Sequence, residues 1–281
     1  MPALIRRVTV TILCDNSVAG PGVLAEHGLS LHVDADGRAF LFDTGASGVF
    51  MDNAARLGLD LSRAAAVVLS HGHYDHTGGL ACLLSAYGDR EVIGHPEVFA
   101  AKFSRQRSRP ARVIGSPQSR RRLSRLGATF RLNAELQAIA PGVITTGVIP
   151  RTTDFEHVPP HFAVRRGGKL ARDSFDDEQA VIVHTRRGLV VIVGCAHRGL
   201  INTIRCAVEL TGDARVPAVI GGTHLATADR SQVERTIKEL QALDVGRLVA
   251  CHCTGFGASA ELKAAFGDHF SPGGVGLTLD M

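Results

Sequence analysis

The run Leu69-Ser70-His71-Gly72-His73-Tyr74-Asp75-His76-Thr77-Gly78-Gly79-Leu80 constrains the fold more than any other part of the chain. Three histidines and a carboxylate fall between His71 and His76. The apolar run Ala64-Ala65-Ala66-Val67-Val68-Leu69 precedes them and reads as a buried strand. A helical pattern follows over 79–87. The cluster therefore sits on a strand-to-helix loop, where side chains can converge on one point. Neutral imidazole and carboxylate are the ligands that first-row divalent ions prefer, zinc above all. A two-metal hydrolytic site needs about five to seven ligands, so others must come from distant parts of the chain.

The flanking pattern shows what kind of scaffold could supply them. Val8–Leu13 alternates β-branched and apolar residues and reads as a strand. Leu29–Val33 and Arg38–Phe42 enclose Asp34-Ala35-Asp36-Gly37, a hairpin signal. Ser47–Leu57 is helical in pattern, with Ser47 as its N-cap. Strand-like runs fall near Ala128–Leu132 and Gly142–Thr146. Gly167-Gly168 marks a hairpin, and Ala180–His184 with Leu189–Val193 forms another. Beyond these, strands and helices alternate: helix Leu200–Leu210, strand Ala218–Ile220, helix Ser231–Leu243, strand Arg247–Cys251, helix Ala258–Phe266. Two such halves predict an α/β protein built as an αβ/βα sandwich, two mixed β-sheets flanked by helices. No Pro/Gly/Ser-rich linker separates the halves, so 1–281 reads as one domain, and 281 residues suffice for one large core. Residues 98–126 read as a polar helical insertion or lid, interrupted by Pro110 and Pro117.

Composition narrows the setting. No apolar run is long enough to span a bilayer, and Met1–Arg7 lacks the features of a secretory signal. Six scattered cysteines suit a reducing cytoplasm better than a disulfide framework. With no tryptophan and two tyrosines, a stacking platform for single-stranded nucleic acid is disfavoured. The net charge is +4, unevenly placed. Between Glu97 and Glu135 there is no acidic residue, while Lys102, Arg105, Arg107, Arg109, Arg112, Arg120, Arg121, Arg122, Arg125 and Arg131 fall there. Such a block either attracts an anionic substrate or is a solvated surface balanced elsewhere in space. Nucleic acid is the less favoured partner, and oligomeric state stays open, a homodimer included.

The motif H-x-H-x-D-H resembles the signature of the metallo-β-lactamase superfamily. Phe40-Leu41-Phe42-Asp43-Thr44-Gly45 is similar to the strand-end Asp-Thr-Gly that precedes it in that superfamily. Leu13-Cys14-Asp15-Asn16, Gly194-Cys195-Ala196-His197-Arg198-Gly199, Gly221-Gly222-Thr223-His224-Leu225 and Cys251-His252-Cys253-Thr254-Gly255 resemble one branch more closely. Members of that branch are labelled metal-dependent hydrolases or, in archaea, dihydropterin-ribofuranosyl-aminobenzene-phosphate synthases.

The resemblance implies two divalent ions, zinc first, with manganese and iron allowed by the same ligand types. His71 and His73 would share the first ion; Asp75 and His76 would face the second. His252 ends the run Leu248–Cys251 and matches the last histidine of the superfamily pattern. His197 is a further expected ligand. Cys195 stands where many members place a bridging carboxylate, and is either a thiolate ligand or a buried inert thiol. His224 follows two glycines and is expected to bind substrate or act as general acid, with metal binding and a structural role as alternatives. Asp43 is expected to accept an N–H from a metal-binding histidine. Asp75 is expected also to orient the nucleophilic water. Arg151 can hold a phosphate or carboxylate bidentately. Cys251 and Cys253 would alternate away from His252 if the strand continued, so packing is their expected role. His27, His32, His95, His157, His161, His184 and His269 carry no supporting pattern. The expected activity is hydrolysis of an anionic small molecule, phosphorylated or an ester, by a metal-activated water. The alternatives are a pterin-phosphate synthase-like lyase or transferase, and a non-hydrolytic metal protein with a redox or effector role.

Overall fold

Strands that are apolar on both faces need cover on both faces, and four stacked layers provide it. The structure, a computed structural model, describes residues 4–105 and 110–281. The chain runs through β1 (Val8–Cys14), β2 (Ser30–Ala35), β3 (Arg38–Phe42), α1 (Val49–Arg56), β4 (Ala66–Val68), α2 (Tyr74–Thr77), α3 (Leu80–Tyr87) and β5 (Arg90–Gly94). There follow β6 (Lys102–Ser104), β7 (Arg112–Val113), α4 (Arg120–Arg125), β8 (Ala128–Leu132), β9 (Ala138–Ala140), β10 (Val143–Thr145), β11 (Phe162–Arg166) and β12 (Lys169–Arg172). The rest comprises β13 (Val181–Thr185), β14 (Gly188–Val193), α5 (Leu200–Thr211), β15 (Ala218–Gly222), α6 (Arg230–Ala242), β16 (Arg247–Cys251), α7 (Phe256–Phe266), β17 (Phe270–Pro272) and β18 (Thr278–Asp280).

Two seven-stranded sheets form the inner layers, ordered β18-β1-β2-β3-β4-β5-β8 and β17-β16-β15-β14-β13-β10-β9. Each is mixed. β3, β4, β5 and β8 are parallel, as are β14 to β17; the remaining neighbours are antiparallel. Between the sheets, Val10, Ile12, Phe40, Phe42 and Val68 meet Val183, Val190, Ile192, Ile220 and Val249 in one apolar layer. The period of two then sorts each strand. On β14, Val190 and Ile192 enter this layer, while Leu189, Val191 and Val193 face Ile201, Ile204, Leu240 and Leu262 of α5, α6 and α7. On the opposite side Leu41, Val67 and Val92 pack under Phe50, Leu83, Leu84 and Leu123 of α1, α3 and α4. Each fully buried side chain of this kind contributes about 1.5–3 kcal/mol.

Two local expectations are corrected. The N-cap position of α1 is Gly48, one residue past Ser47; the Ser47 hydroxyl still accepts the Val49 N–H at 3.3 Å while donating to Glu26. The stretch 98–126 is not mainly helical. It carries β6 and β7, which join β11 and β12 in a small sheet ordered β12-β11-β6-β7, and among its described residues only α4 is a helix. Lys102–Ser104 pairs antiparallel with Phe162–Val164, some sixty residues on, and local periodicity cannot register such a partner. Arg107 and Arg109 lie outside the described residues.

Both inner sheets end their parallel strands at one edge, the usual place for a ligand site in such sheets. They approach closely there. A Cβ on Gly194 would stand 2.2 Å from Ser70 Oγ, so only glycine lets the ends of β14 and β4 meet.

Candidate metal centre

The central strands reaching that edge deliver polar side chains. Asp43 follows β3, the histidine loop follows β4, Cys195 and His197 follow β14, His224 follows β15 and His252 follows β16. The backbone is strained at these exits. Asp43, Ala196, His224 and His252 have φ of 61°, 56°, 52° and 51°, values that non-glycine residues rarely adopt. Each costs on the order of 1–3 kcal/mol and persists because the surrounding sheets over-determine it.

Two groups of ligand atoms converge. In the first, His71, His73 and His197 each offer a ring nitrogen, all within 4.8 Å of one another. Their ring centroids are 4.6 to 5.0 Å apart, and Phe175 stacks on His197 at 3.9 Å. Nε2 of His71, Nε2 of His73 and both ring nitrogens of His197 are buried without a hydrogen-bond partner among the described residues. Burial, above all, holds these three imidazoles well below their ordinary pKa, so each is neutral with a free lone pair. An unsatisfied buried polar group costs about 1–3 kcal/mol. A shared cation answers three such groups at once, and neutral imidazole is the form that ligates.

Asp43 sets the tautomers. Its Oδ2 lies 2.6 Å from His76 Nδ1 and accepts the Ser70 hydroxyl at 2.6 Å; its Oδ1 accepts the Ser70 N–H at 2.7 Å. Ser70 Oγ is in turn 2.9 Å from His71 Nδ1. The one carboxylate therefore turns both Nδ1 atoms into donors and points both Nε2 atoms into the site. Burial opposes a charge on His76, but Asp43 outweighs it and carries the imidazole up to about 9.

In the second group, His76 Nε2 lies 3.1 Å from Cys195 Sγ. Asp75 Oδ2 lies 3.5 Å from His252 Nε2 and 3.1 Å from His27 Nε2. Burial would raise the Asp75 carboxyl, but hydrogen bonds with His252 and His27 hold it well below the usual range. His252 is oriented by the chain start: its Nδ1 is 2.9 Å from Asn16 Oδ1, and its N–H donates to Asp15 Oδ1 at 2.6 Å. Two residues not expected at the site belong here. His27 joins through Asp75. Cys253 faces the site because β16 stops at Cys251 and a 3₁₀ turn, His252–Thr254, breaks the alternation that would have turned it away. Cys251 does pack in the inter-sheet layer, as expected.

A cavity of about 370 Å³ opens onto this constellation. His27, His73, Asp75, Cys195, His197, His224, His252 and Cys253 line it, with Tyr74, Phe162, Arg112 and Ile114 around them. The small sheet reaches the rim: the Tyr74 N–H donates to Ile114 O at 2.9 Å, and Arg112 Nη2 donates to the Tyr74 hydroxyl at 3.0 Å. Burial, with the nearby His252, pushes His224 down to about 4. Two expectations are corrected. Arg151 does not reach this cavity; it donates to Ser174 O at 3.0 Å and lines a separate surface hollow with Val158 and Arg172. Arg120, Arg121 and Arg122 are not over the site either. They lie on α4, which packs by Leu123 beneath the first sheet, with Arg120 set over Phe130.

The architecture and the strand-end histidine cluster define a protein class, and comparison with known proteins agrees with it. Residues 25–252 match the model of the metallo-beta-lactamase superfamily, and the chain belongs to that superfamily. It is similar in structure to Tm1679, a metal-dependent hydrolase of the beta-lactamase superfamily, at 33% identity and a TM-score of 0.84, covering 97% of this chain and 98% of that one. It is 29% identical over 255 residues to 7,8-dihydropterin-6-methyl-4-(beta-D-ribofuranosyl)-aminobenzene-5'-phosphate synthase of Methanocaldococcus jannaschii, covering 88% of this chain and 87% of the relative. Zinc-bound PqqB of Methylobacterium extorquens shares the fold at 15% identity and a TM-score of 0.61, over 97% of this chain and all of the other.

Proposed function

We propose that this protein is a hydrolase that uses two divalent metal ions, zinc first, on a small anionic substrate, either phosphorylated or an ester. The observation that carries the reading is the group of unpartnered, buried ring nitrogens on His71, His73 and His197. These three residues would hold one ion. Asp75, His76, Cys195 and His252 would hold the other. When bound, such ions supply Lewis acidity and a water whose pKa falls from about 15.7 toward 7.

The chain's own groups do the rest. Asp75 is ionised and faces the cavity, so it can accept a hydrogen bond from the attacking water and align it. His224 is neutral at pH 7 and offers an N–H to a substrate oxygen. That makes it a hydrogen-bond donor rather than a standing cation, which refines the general-acid expectation. Among the described residues, Arg112 is the guanidinium on the cavity wall and can hold an anionic group.

A second reading, a synthase acting on a pterin and an aminobenzene phosphate, is supported by the named relative and by the aromatic wall of Tyr74 and Phe162. One experiment separates the two. Metal content is measured on protein purified without added metal, and the same protein is screened against phosphodiesters, phosphomonoesters, lactones and thioesters, then against the pterin pair. Hydrolysis of the first set supports the hydrolase; turnover of the pterin pair alone overturns it. Asp75→Ala should lose at least about 100-fold in turnover. Near-normal turnover at full metal occupancy would contradict the role given to Asp75.

A further inference from the structure

Of the six cysteines, all unbridged, Cys14, Cys206 and Cys251 belong to the apolar layers. Cys82 is exposed on α3. Cys195 and Cys253 are the two that line the cavity. We propose that Cys253 is a second thiolate ligand beside Cys195, so that the site opposite the three histidines is sulfur-rich and takes a thiophilic divalent ion, zinc before manganese or magnesium. The proposal rests on the two-metal reading and adds to it a ligand and a selectivity.

The geometry carries it. Cys195 Sγ, Cys253 Sγ and a ring nitrogen of His252 lie within 4.8 Å of one another. With zinc–sulfur bonds near 2.3 Å and zinc–nitrogen bonds near 2.0 Å, donors on one tetrahedral ion stand roughly 3.3–3.8 Å apart. The three atoms would draw together from within 4.8 Å to reach that spacing. His76 Nε2, 3.1 Å from Cys195 Sγ, supplies a fourth donor. With Asp75 beside His252, the set is then two sulfurs, two imidazoles and a carboxylate, a donor combination whose two thiolates favour zinc.

The surroundings make room for the sulfur. A Cβ on Gly222 would lie 2.6 Å from Cys253 Sγ, so the glycine leaves the volume that the thiol fills. The His224 N–H donates to Cys253 Sγ at 3.2 Å, and a sulfur that accepts from the backbone is suited to bear negative charge. Cys253 donates its S–H to Cys195 O at 3.5 Å. On binding, each thiol exchanges its proton for a sulfur–metal bond, the His76 imidazolium gives up its Nε2 proton for a nitrogen–metal bond, and the protons pass to solvent, with no change in oxidation state. The two sites then differ in kind. The three-histidine site discriminates little among divalent ions, whereas the sulfur site rejects hard ones.

The test is a cobalt titration of metal-stripped protein without oxygen, followed by visible and near-ultraviolet absorption. The wild type should bind two Co²⁺ and show thiolate-to-cobalt charge transfer. Cys253→Ser should cut that band to about half, the double variant with Cys195→Ser should abolish it, and Cys82→Ser should leave it unchanged. Competition with zinc should show an affinity at least about 10-fold weaker in Cys253→Ser. A variant-free measurement runs in parallel: iodoacetamide should label Cys253 in stripped protein and not in zinc-loaded protein, as read by peptide mass. Two bound cobalt ions with an undiminished band in Cys253→Ser would overturn the proposal and leave the metal reading standing. Equal labelling of Cys253 with and without zinc would also overturn it. No bound cobalt at all would overturn both.

Discussion

Asp43 is the residue on which most of the site's orientation depends, although it belongs to neither group of converging ligand atoms. Its Oδ2 meets His76 Nδ1 and the Ser70 hydroxyl, and through Ser70 it reaches His71. One histidine of each ligand group is therefore held by the same carboxylate. Asp43→Asn isolates this function well. Asparagine tolerates the left-handed conformation that Asp43 adopts at φ 61°, so the backbone need not shift. What changes is that an acceptor pair becomes one acceptor and one donor. Metal affinity should fall by about 10–100-fold, the usual cost of losing a partner behind a ligand histidine. Competition against a chromogenic chelator measures it, and an unchanged affinity would remove Asp43 from the design. The residue-scale lesson also explains two misreadings. Cys253 turns to the face opposite the one strand alternation predicts, because the backbone at His252 has φ 51° and is not extended. His27 stands on a loop, and nothing near it in the sequence signals that Asp75 lies 3.1 Å away.

At the scale of elements, the small sheet is tied to the histidine loop by a buried ion cluster. Lys102 on β6 donates to Asp173 Oδ2 at 2.7 Å and Asp177 Oδ1 at 2.8 Å, and Asp177 Oδ2 accepts the Gly72 N–H at 2.8 Å. Burial works against the ammonium, yet Asp177 and Asp173 raise its pKa above the ordinary value. Lys102→Met strands two buried carboxylates and should cost about 3–5 kcal/mol in denaturant unfolding. A loss below about 1 kcal/mol would mean that water screens the cluster. A second clip sits at the far end of α5. Hydrogen bonds from the Arg215 guanidinium, first of all, and from His184 hold the Asp213 carboxyl well below the usual range. A depressed folded pKa stabilises above the unfolded value near 3.8, and that stabilisation is lost as pH falls through the folded value. Asp213→Asn should therefore melt below the wild type at pH 7, with the gap beginning to narrow below about pH 3.8 and shrinking further as pH approaches the folded value; a gap as wide at pH 2 as at pH 7 would show that the effect is not the carboxylate's charge. These elements also mark how far the sequence could be read. Hairpins such as β2–β3 and β11–β12 were legible because partner and turn are adjacent. β5, β17 and β18 carried weak local patterns, and β6 and β7 were read as helix, because their pairing is settled by strands far along the chain.

Across the whole molecule, the question is which of the many cations acts on the cavity. The chain carries 31 basic and 27 acidic residues, and its longest acid-free stretch contributes both Arg112 and α4. In sequence these arginines look equivalent, since spacing says nothing about which layer each joins. In the fold they separate. Arg112 stands on the cavity wall with its guanidinium over the Tyr74 ring at 5.4 Å, while Arg120, Arg121 and Arg122 belong to a helix on the outer face of the first sheet. The Debye length is about 10 Å at 0.1 M salt and about 3 Å at 1 M. A charge on the wall acts on a bound anion over a few ångströms, and charges on α4 can add only a diffuse, easily screened field. With a chromogenic phosphodiester, Arg112→Ala should lower kcat/KM by about 10-fold or more at low salt, chiefly through KM, and part of the loss should persist at 1 M. The triple variant Arg120→Ala, Arg121→Ala, Arg122→Ala should lose less than about twofold at low salt and nothing at 1 M. A loss in the triple variant matching that of Arg112→Ala would return the role of substrate capture to the helix. A neutral ester serves as the internal control, because neither variant should change its turnover if charge is what Arg112 contributes.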